Sequence, residues 1–343
     1  MRARLSSLLV LLAAGRFVVA CGGGGGGGSP TDGGSTATNE TGADVAADVE
    51  MPGMVTLPVA CQQYAAAYCK QLQSCFAFAL TSVYGTESNC ETRLAIACNA
   101  AGTAPSTANT PAAIASCATA AAAASCSAEY QDQVPAACSG ARGSLATGAA
   151  CLDGAQCKSG FCPKVGACGT CAVAPSAGGA CVNGACPAGL KCNGSAVCAT
   201  PATAGATCKA SADCESDLVC ASGKCTTPAK SDAACSFDGS TAPECDSIAG
   251  LFCNTSTKRC EPFKSATTGA ACGLDTTTGS FTLCDSASYC QTVDATKATG
   301  KCVARVADGA ACTADGLLAS NPCSAPAVCD GGTCKLPNGA ACK

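Results

Sequence analysis

Cys208-Lys-Ala-Ser-Ala-Asp-Cys214-Glu-Ser-Asp-Leu-Val-Cys220-Ala-Ser-Gly-Lys-Cys225 carries four cysteines separated by five, five and four residues. The same texture extends both ways, as short cysteine loops with Gly, Asp, Ser and Pro between them. A phrase Gly-Ala-x-Cys, or its near kin, returns at Gly148–Cys151, Gly179–Cys181, Gly205–Cys208, Asp232–Cys235, Gly269–Cys272, Gly309–Cys312 and Gly339–Cys342. Three further cysteines follow each of the five middle phrases. Nine residues separate the last cysteine of one unit from the first of the next at 171–181, 198–208, 225–235 and 302–312. A spacing kept while the inner loops vary marks true internal repetition. The chain over 148–343 therefore reads as tandem four-cysteine repeats built of short β-hairpins and loops.

Composition explains why cysteine must carry the architecture. Aromatics are 4% of the 343 residues, Trp is absent, and much of the 48% hydrophobic share is Ala and Cys. Such side chains bury little area, and burial yields only about 25 cal/mol per Å². Thirty-five cysteines read instead as a disulfide scaffold of an oxidising compartment. Each bridge stabilises by about 2–4 kcal/mol. The fold class expected is small and disulfide-rich. A net charge of −4 leaves no basic patch for nucleic acid, so none is expected as a partner.

Ahead of the repeats, residues 58–140 read as a helical module with eight cysteines (61, 69, 75, 90, 98, 117, 126 and 138). Cys61, Tyr64, Tyr68, Leu72 and Cys75 recur at steps of three and four, and Cys69 and Phe76 widen that stripe. Ser88 and Glu91 fit a capping box for a second helix, whose face holds Cys90, Leu94, Ala97 and Cys98. Thr110-Pro111 opens a third, which runs through Ile114 and Cys117. Cys61–Cys69 and Cys90–Cys98 share one spacing. A small bundle stapled along its inner seam by four internal bridges is expected, with the connectivity left open among 105 possibilities.

The repeat cysteines have a parity of their own. The first unit has five, the next five have four each, and Cys342 stands alone. Bonding the last cysteine of each unit to the first of the next closes the series. The pairs expected on that ground are Cys171–Cys181, Cys198–Cys208, Cys225–Cys235, Cys260–Cys272, Cys302–Cys312 and Cys334–Cys342. Inner pairs such as Cys214–Cys220 then close locally, and Cys151, Cys157, Cys162 and Cys168 pair among themselves.

The N-terminus reads as an export signal over 1–20, with Arg2 and Arg4 before the apolar stretch Leu8–Gly15. Val18-Val19-Ala20-Cys21 resembles a bacterial lipobox, which implies lipidation of Cys21 and a membrane anchor. Gly22 in place of Asp implies sorting to the outer membrane. Residues 21–57, with the run Gly22–Gly28 and the Gly/Ser/Thr-rich stretch after it, read as a disordered tether. The N-x-S/T triplets at Asn39, Asn193 and Asn254 read as chance under a bacterial origin.

Cys151-x5-Cys157-x4-Cys162, the pair Cys168-Gly-Thr-Cys171, then Cys181, Cys186, Cys192 and Cys198 resemble the Dickkopf N-terminal cysteine-rich domain over 151–198. The chain lacks the second, colipase-like domain of that family, so receptor antagonism is not implied. The order of lipid signal, helical cysteine module and repeats is similar to that of cysteine-rich lipoproteins of myxobacteria.

Catalytic chemistry finds no footing in the sequence. Histidine is absent, which removes Ser-His-Asp and Cys-His sites and any imidazole-bound zinc. Cys168-Gly-Thr-Cys171 lacks the βαβ setting of a redox motif. Asp-Gly pairs at 153, 238, 308 and 330 read as turns rather than calcium loops. No catalytic residue, cofactor or metal is expected. The expected function is a non-enzymatic, lipid-anchored surface protein that binds, adheres or spaces through its repeats, with an unidentified protein or glycan partner. The alternative is an inhibitor, for instance of proteases, presented on disulfide-braced loops.

Overall fold

The computed structural model describes residues 55–130, 134–139, 142–237, 239–294, 298–316 and 320–342. The export signal, Cys21 and the tether up to residue 54 lie outside the described residues, as does Asn39. The protein is a small disulfide-rich fold, with a helical module followed by short strand pairs in cysteine repeats. No described helix is long and apolar enough to cross a membrane.

The helical module begins with α1, Leu57–Cys75, whose first turn contains Pro58. A proline costs nothing there, because that N–H has no helical acceptor. Cys61, Tyr64, Cys69, Leu72 and Cys75 are buried along one face, and Tyr68 stacks on Tyr64 with ring centroids 5.9 Å apart. The helices α2 (Ala77–Val83) and α3 (Glu87–Gly102) follow. α3 starts earlier than the Ser88/Glu91 capping box predicts. Thr86 caps it instead, its Oγ1 accepting the Asn89 N–H at 3.2 Å. Asn89 in turn donates to the Tyr84 carbonyl at 2.7 Å, which pulls the turn shut ahead of Ser88. α4 (Pro111–Ala123) has the expected Thr110 cap, accepting from the Ala113 N–H, and α5 (Cys126–Tyr130) closes the module.

Four bridges lock these helices: Cys61–Cys98, Cys69–Cys90, Cys75–Cys126 and Cys117–Cys138. The first two explain the shared spacing. Antiparallel α1 and α3 present their cysteines at equal intervals, so both rungs close between the same two helices. Ile114, Leu72, Leu80 and Leu94 complete a core otherwise made of Ala, Cys and Tyr.

The six repeat units close by one rule: first cysteine to third, second to fourth. Unit 3, the opening stretch, bonds Cys208–Cys220 and Cys214–Cys225. Unit 2 bonds Cys181–Cys192 and Cys186–Cys198. Unit 4 bonds Cys235–Cys253 and Cys245–Cys260, unit 5 Cys272–Cys290 and Cys284–Cys302, unit 6 Cys312–Cys329 and Cys323–Cys334. Unit 1 obeys the rule once Cys168 is set aside, with Cys151–Cys162 and Cys157–Cys171. The fifth cysteine of unit 1, Cys168, bonds Cys342.

This corrects the linked scheme expected from parity. None of Cys171–Cys181, Cys198–Cys208, Cys225–Cys235, Cys260–Cys272, Cys302–Cys312 or Cys334–Cys342 forms, and Cys214 does not pair with Cys220. The hairpins show why. Third and fourth cysteines sit directly opposite each other at Cys192↔Cys198, Cys220↔Cys225, Cys253↔Cys260, Cys290↔Cys302 and Cys329↔Cys334. Opposed residues of an antiparallel pair point to one face, so both sulfurs meet the first and second cysteines of their own unit there.

The constant gap of nine residues has another cause, since the linker is itself folded onto the next unit. In every unit but the second, the residue six before the first cysteine pairs in parallel with that unit's second cysteine, at Leu145↔Cys157, Ala202↔Cys214, Ala229↔Cys245 and Val306↔Cys323. Ala266 pairs with Cys284 in the same way. The phrase glycine then closes the unit. Gly148, Gly178, Gly205, Gly269 and Gly309 each donate an N–H to the carbonyl of their unit's last cysteine at 2.7–2.8 Å. In unit 2 the role falls to Gly178, one residue before the glycine the phrase suggests. These five adopt φ of 79–95°, where glycine carries no Cβ penalty. Asp232 fills the position in unit 4 at φ 62°.

Two of the three N-x-S/T triplets also have a structural role. Asn193 Oδ1 accepts the N–H groups of Ser195 and Val197. Asn254, buried, accepts those of Ser256 and Thr257. Both asparagines therefore cap tight hairpin turns, a local role suited to their side chains.

Candidate functional site

The repeats do not run away from the helical module; they lie around it. Unit 1 donates the Gln156 Nε2–H to the Pro105 carbonyl at 2.7 Å and accepts the Ala108 N–H at Ala155 O. Unit 3 gives the Ser216 N–H to Tyr130 O at 2.8 Å. Units 4 and 5 meet α2 through phenylalanine. Phe78 stacks on Phe263 at 5.5 Å, and Phe252, Phe237 and Phe281 continue the cluster at 5.1–5.9 Å. Five of the chain's eight phenylalanines thus sit at one junction. A Cβ at Gly250 would meet the Phe78 ring, which fixes glycine at that approach.

Unit 6 is held by a clamp on α3. Arg93 forms a fork with the Asp308 carboxylate, at 2.6 and 2.8 Å, and donates to the carbonyls of Ala325 and Ser324. Ala325 also packs against the helical core cluster that contains Leu94 and Tyr84. A bidentate Arg–carboxylate pair of this kind is among the stronger polar contacts available to a protein. The guanidinium holds the Asp308 carboxyl below the usual carboxylate range, mainly by hydrogen bonding. Beyond unit 6 the tail returns over Ala104, where Gly339 packs, and reaches unit 1 through Cys168–Cys342. The arc of repeats is closed covalently.

Asp153 marks the other side of this junction. It caps the short 3-10 turn Gly154–Gln156, accepting the Ala155 N–H, while Gln156 answers in a capping box. Its Oδ2 accepts from Asn109 Nδ2 of the helical module at 3.2 Å. Burial raises the Asp153 carboxyl to about 6, against the lowering pull of Lys164 and of these hydrogen bonds.

Asp153 and Asp308 therefore give opposite pH dependences. The raised Asp153 binds its proton more tightly in the folded state, so its contribution is greatest below about pH 4 and falls as pH rises to about 6. The depressed Asp308 contributes above the ordinary carboxylate value and loses its contribution as pH falls through its own. Asp153→Asn should abolish the fall between about pH 4 and 6, since the amide does not titrate. Hydrogen exchange at the Ala108 amide, compared at pH 4 and pH 7, measures it. Unchanged pH dependence in the variant would refute the assignment.

Removal of the clamp should act on one unit. Arg93→Ala leaves Asp308 and two carbonyls without their donor, at a cost of about 3 kcal/mol. Exchange should accelerate over 321–334 while α1 and α4 keep their protection.

Sequence reasoning singled out cysteines, and the structure brings them together differently. Cys168 and Cys171, the C-x-x-C pair, bond Cys342 and Cys157 respectively, not each other. Sulfur trios such as Cys208, Cys214 and Cys225 lie within 4.8 Å. These are the crossed bridges, whose sulfurs are bonded and offer no thiolate to a metal. Of the Asp-Gly pairs, Asp330 sits in a hairpin turn with Lys335 at 3.1 Å, while Asp153 and Asp308 anchor the helical module; Asp238 lies outside the described residues. Arg93 carried no sequence signal beyond its place on a polar helical face. No protein-family model, curated protein or solved structure matches the chain.

Proposed function

We propose that this is a non-enzymatic, lipid-anchored protein of a bacterial outer membrane, whose disulfide-locked head binds a protein or glycan at the end of a flexible tether. One observation carries the reading. The thirty-four cysteines from Cys61 to Cys342 pair wholly among themselves. Cys21 is left with no partner among them, as a cysteine reserved for a thioether-linked lipid would be.

The closed arc favours a head over a spacer. An extended array would lengthen with each unit, whereas these units return to the helical module and to unit 1. Such bracing presents loops with little conformational entropy left to lose on binding. The turns at 203–205, 267–271 and 307–311 are exposed and precede the first cysteines of units 3, 5 and 6. The Dickkopf-like spacing over 151–198 supports a cysteine-rich head but not that family's role, and Cys168 bonds outside the segment. The inhibitor reading draws less support. The exposed basic turn Ser256–Arg259 holds Lys258 at φ 55°, a left-handed bend rather than an extended strand.

Fractionation of cells making the full chain, with the mass of the mature N-terminus, tests the anchor. A diacylated Cys21 in the outer-membrane fraction, released to the soluble fraction by Cys21→Ala, is expected. An unmodified Cys21 on a soluble wild-type protein would overturn the reading.

A further inference from the structure

None of the seventeen bridges joins two cysteines that are neighbours in sequence. At least one other cysteine lies inside every loop they close. Each of the six units is crossed, and Cys168–Cys342 spans a sequence separation of 174.

We propose that maturation of this chain requires a partner of the disulfide-isomerase class, in addition to an oxidant. The chemistry of a chain that emerges N-terminus first leads there. An oxidant reaches Cys208 and Cys214 before Cys220 exists outside the membrane, so the bond that forms first is the consecutive one. Cys168 meets Cys162 and Cys171 long before Cys342 arrives. Local structure cannot prevent this, because the hairpin that sorts the sulfurs needs the third and fourth cysteines.

The correcting step is electron-neutral. A partner thiolate attacks one sulfur of a wrong bridge, such as Cys208–Cys214, forming a mixed disulfide and releasing the other sulfur as a thiolate. The released Cys214 thiolate, or a free one such as Cys225, attacks a further bridge, and the last exchange returns the partner's thiolate. Net oxidation is separate: each bridge sends two electrons and two protons to a disulfide oxidant. Four cysteines allow three pairings, so six units closing at random would all be native in about one molecule in 700.

The proposal rests on the export included in the proposed function but not on the lipid anchor, and its test in solution is separate from the test of the anchor. The full chain is reduced, denatured and refolded in solution with glutathione disulfide alone, with a glutathione redox buffer, and with that same buffer plus a disulfide isomerase. Peptide mapping without reduction reads the product. With oxidant alone, thiols should be consumed while consecutive pairs such as Cys208–Cys214 and Cys220–Cys225 accumulate. The isomerase should convert these to Cys208–Cys220 and Cys214–Cys225, raising native yield by about tenfold or more, given the odds of random closure. Equal native yields in the redox buffer with and without the isomerase, or an oxidant-only product free of consecutive pairs, would overturn the proposal.

Discussion

Full reduction in native buffer unfolds the protein, repeats and helical module alike. Net stabilities of folded domains are about 5–15 kcal/mol, and each bridge contributes about 2–4. The loss of a handful therefore exceeds what remains. The units have little core to fall back on: the buried cluster of unit 3 is Cys214, Leu218, Cys220 and Cys225, and that of unit 1 is Cys151, Cys157 and Cys171 with Leu152, Ala155 and Phe161 buried nearby. The helical module has Ile114, Leu72, Leu80, Leu94 and two tyrosines, with alanine and cysteine making up the rest. Circular dichroism should lose the helical signal on reduction under conditions where the oxidised protein keeps it. Retention of that signal would mean that apolar packing suffices.

Opening the latch alone has a large but confined effect. In the double variant Cys168→Ser with Cys342→Ser, residues 335–342 should detach and the seam between units 1 and 6 should loosen, by about 2–4 kcal/mol. The enclosed loop is long, which raises the entropic gain from closing it. The remaining bridges already shorten the free path between its ends, which limits that gain. Arg93–Asp308 and the Asp153–Asn109 contact still hold units 6 and 1, so the arc opens without unravelling. Limited proteolysis should cut the tail of the variant and spare that of the native protein, with both α1–α3 rungs intact. Loss of helical structure in this variant would show that the latch carries the module as well.

Most of the architecture was legible in the cysteines because their spacing is a covalent constraint. The repeat period, the change of texture at Gly148 and the four-bridge module are written in positions alone. The pairing was not, because the regular gap of nine residues admits two causes. A bond across the gap and a folded linker each fix its length, and only backbone hydrogen bonds such as Gly205 N–H to Cys225 O distinguish them. Cys342 illustrates the same limit. Its lone seventh phrase was read as bonding the nearby Cys334, whereas Cys168 is its partner through the return of the tail, which no local pattern encodes. The Phe78–Phe263 stack and the Arg93 clamp join residues 185 and 215 positions apart in sequence. Periodicity marks the faces of elements, not which distant face meets them.

The most direct test is the disulfide map of the native, unreduced protein. Crossed bridging predicts Cys214–Cys225 and Cys208–Cys220 in one unit, repeated in the other five, and a peptide joining Cys168 to Cys342. A bond between Cys225 and Cys235, or Cys342 attached to Cys334, would contradict it.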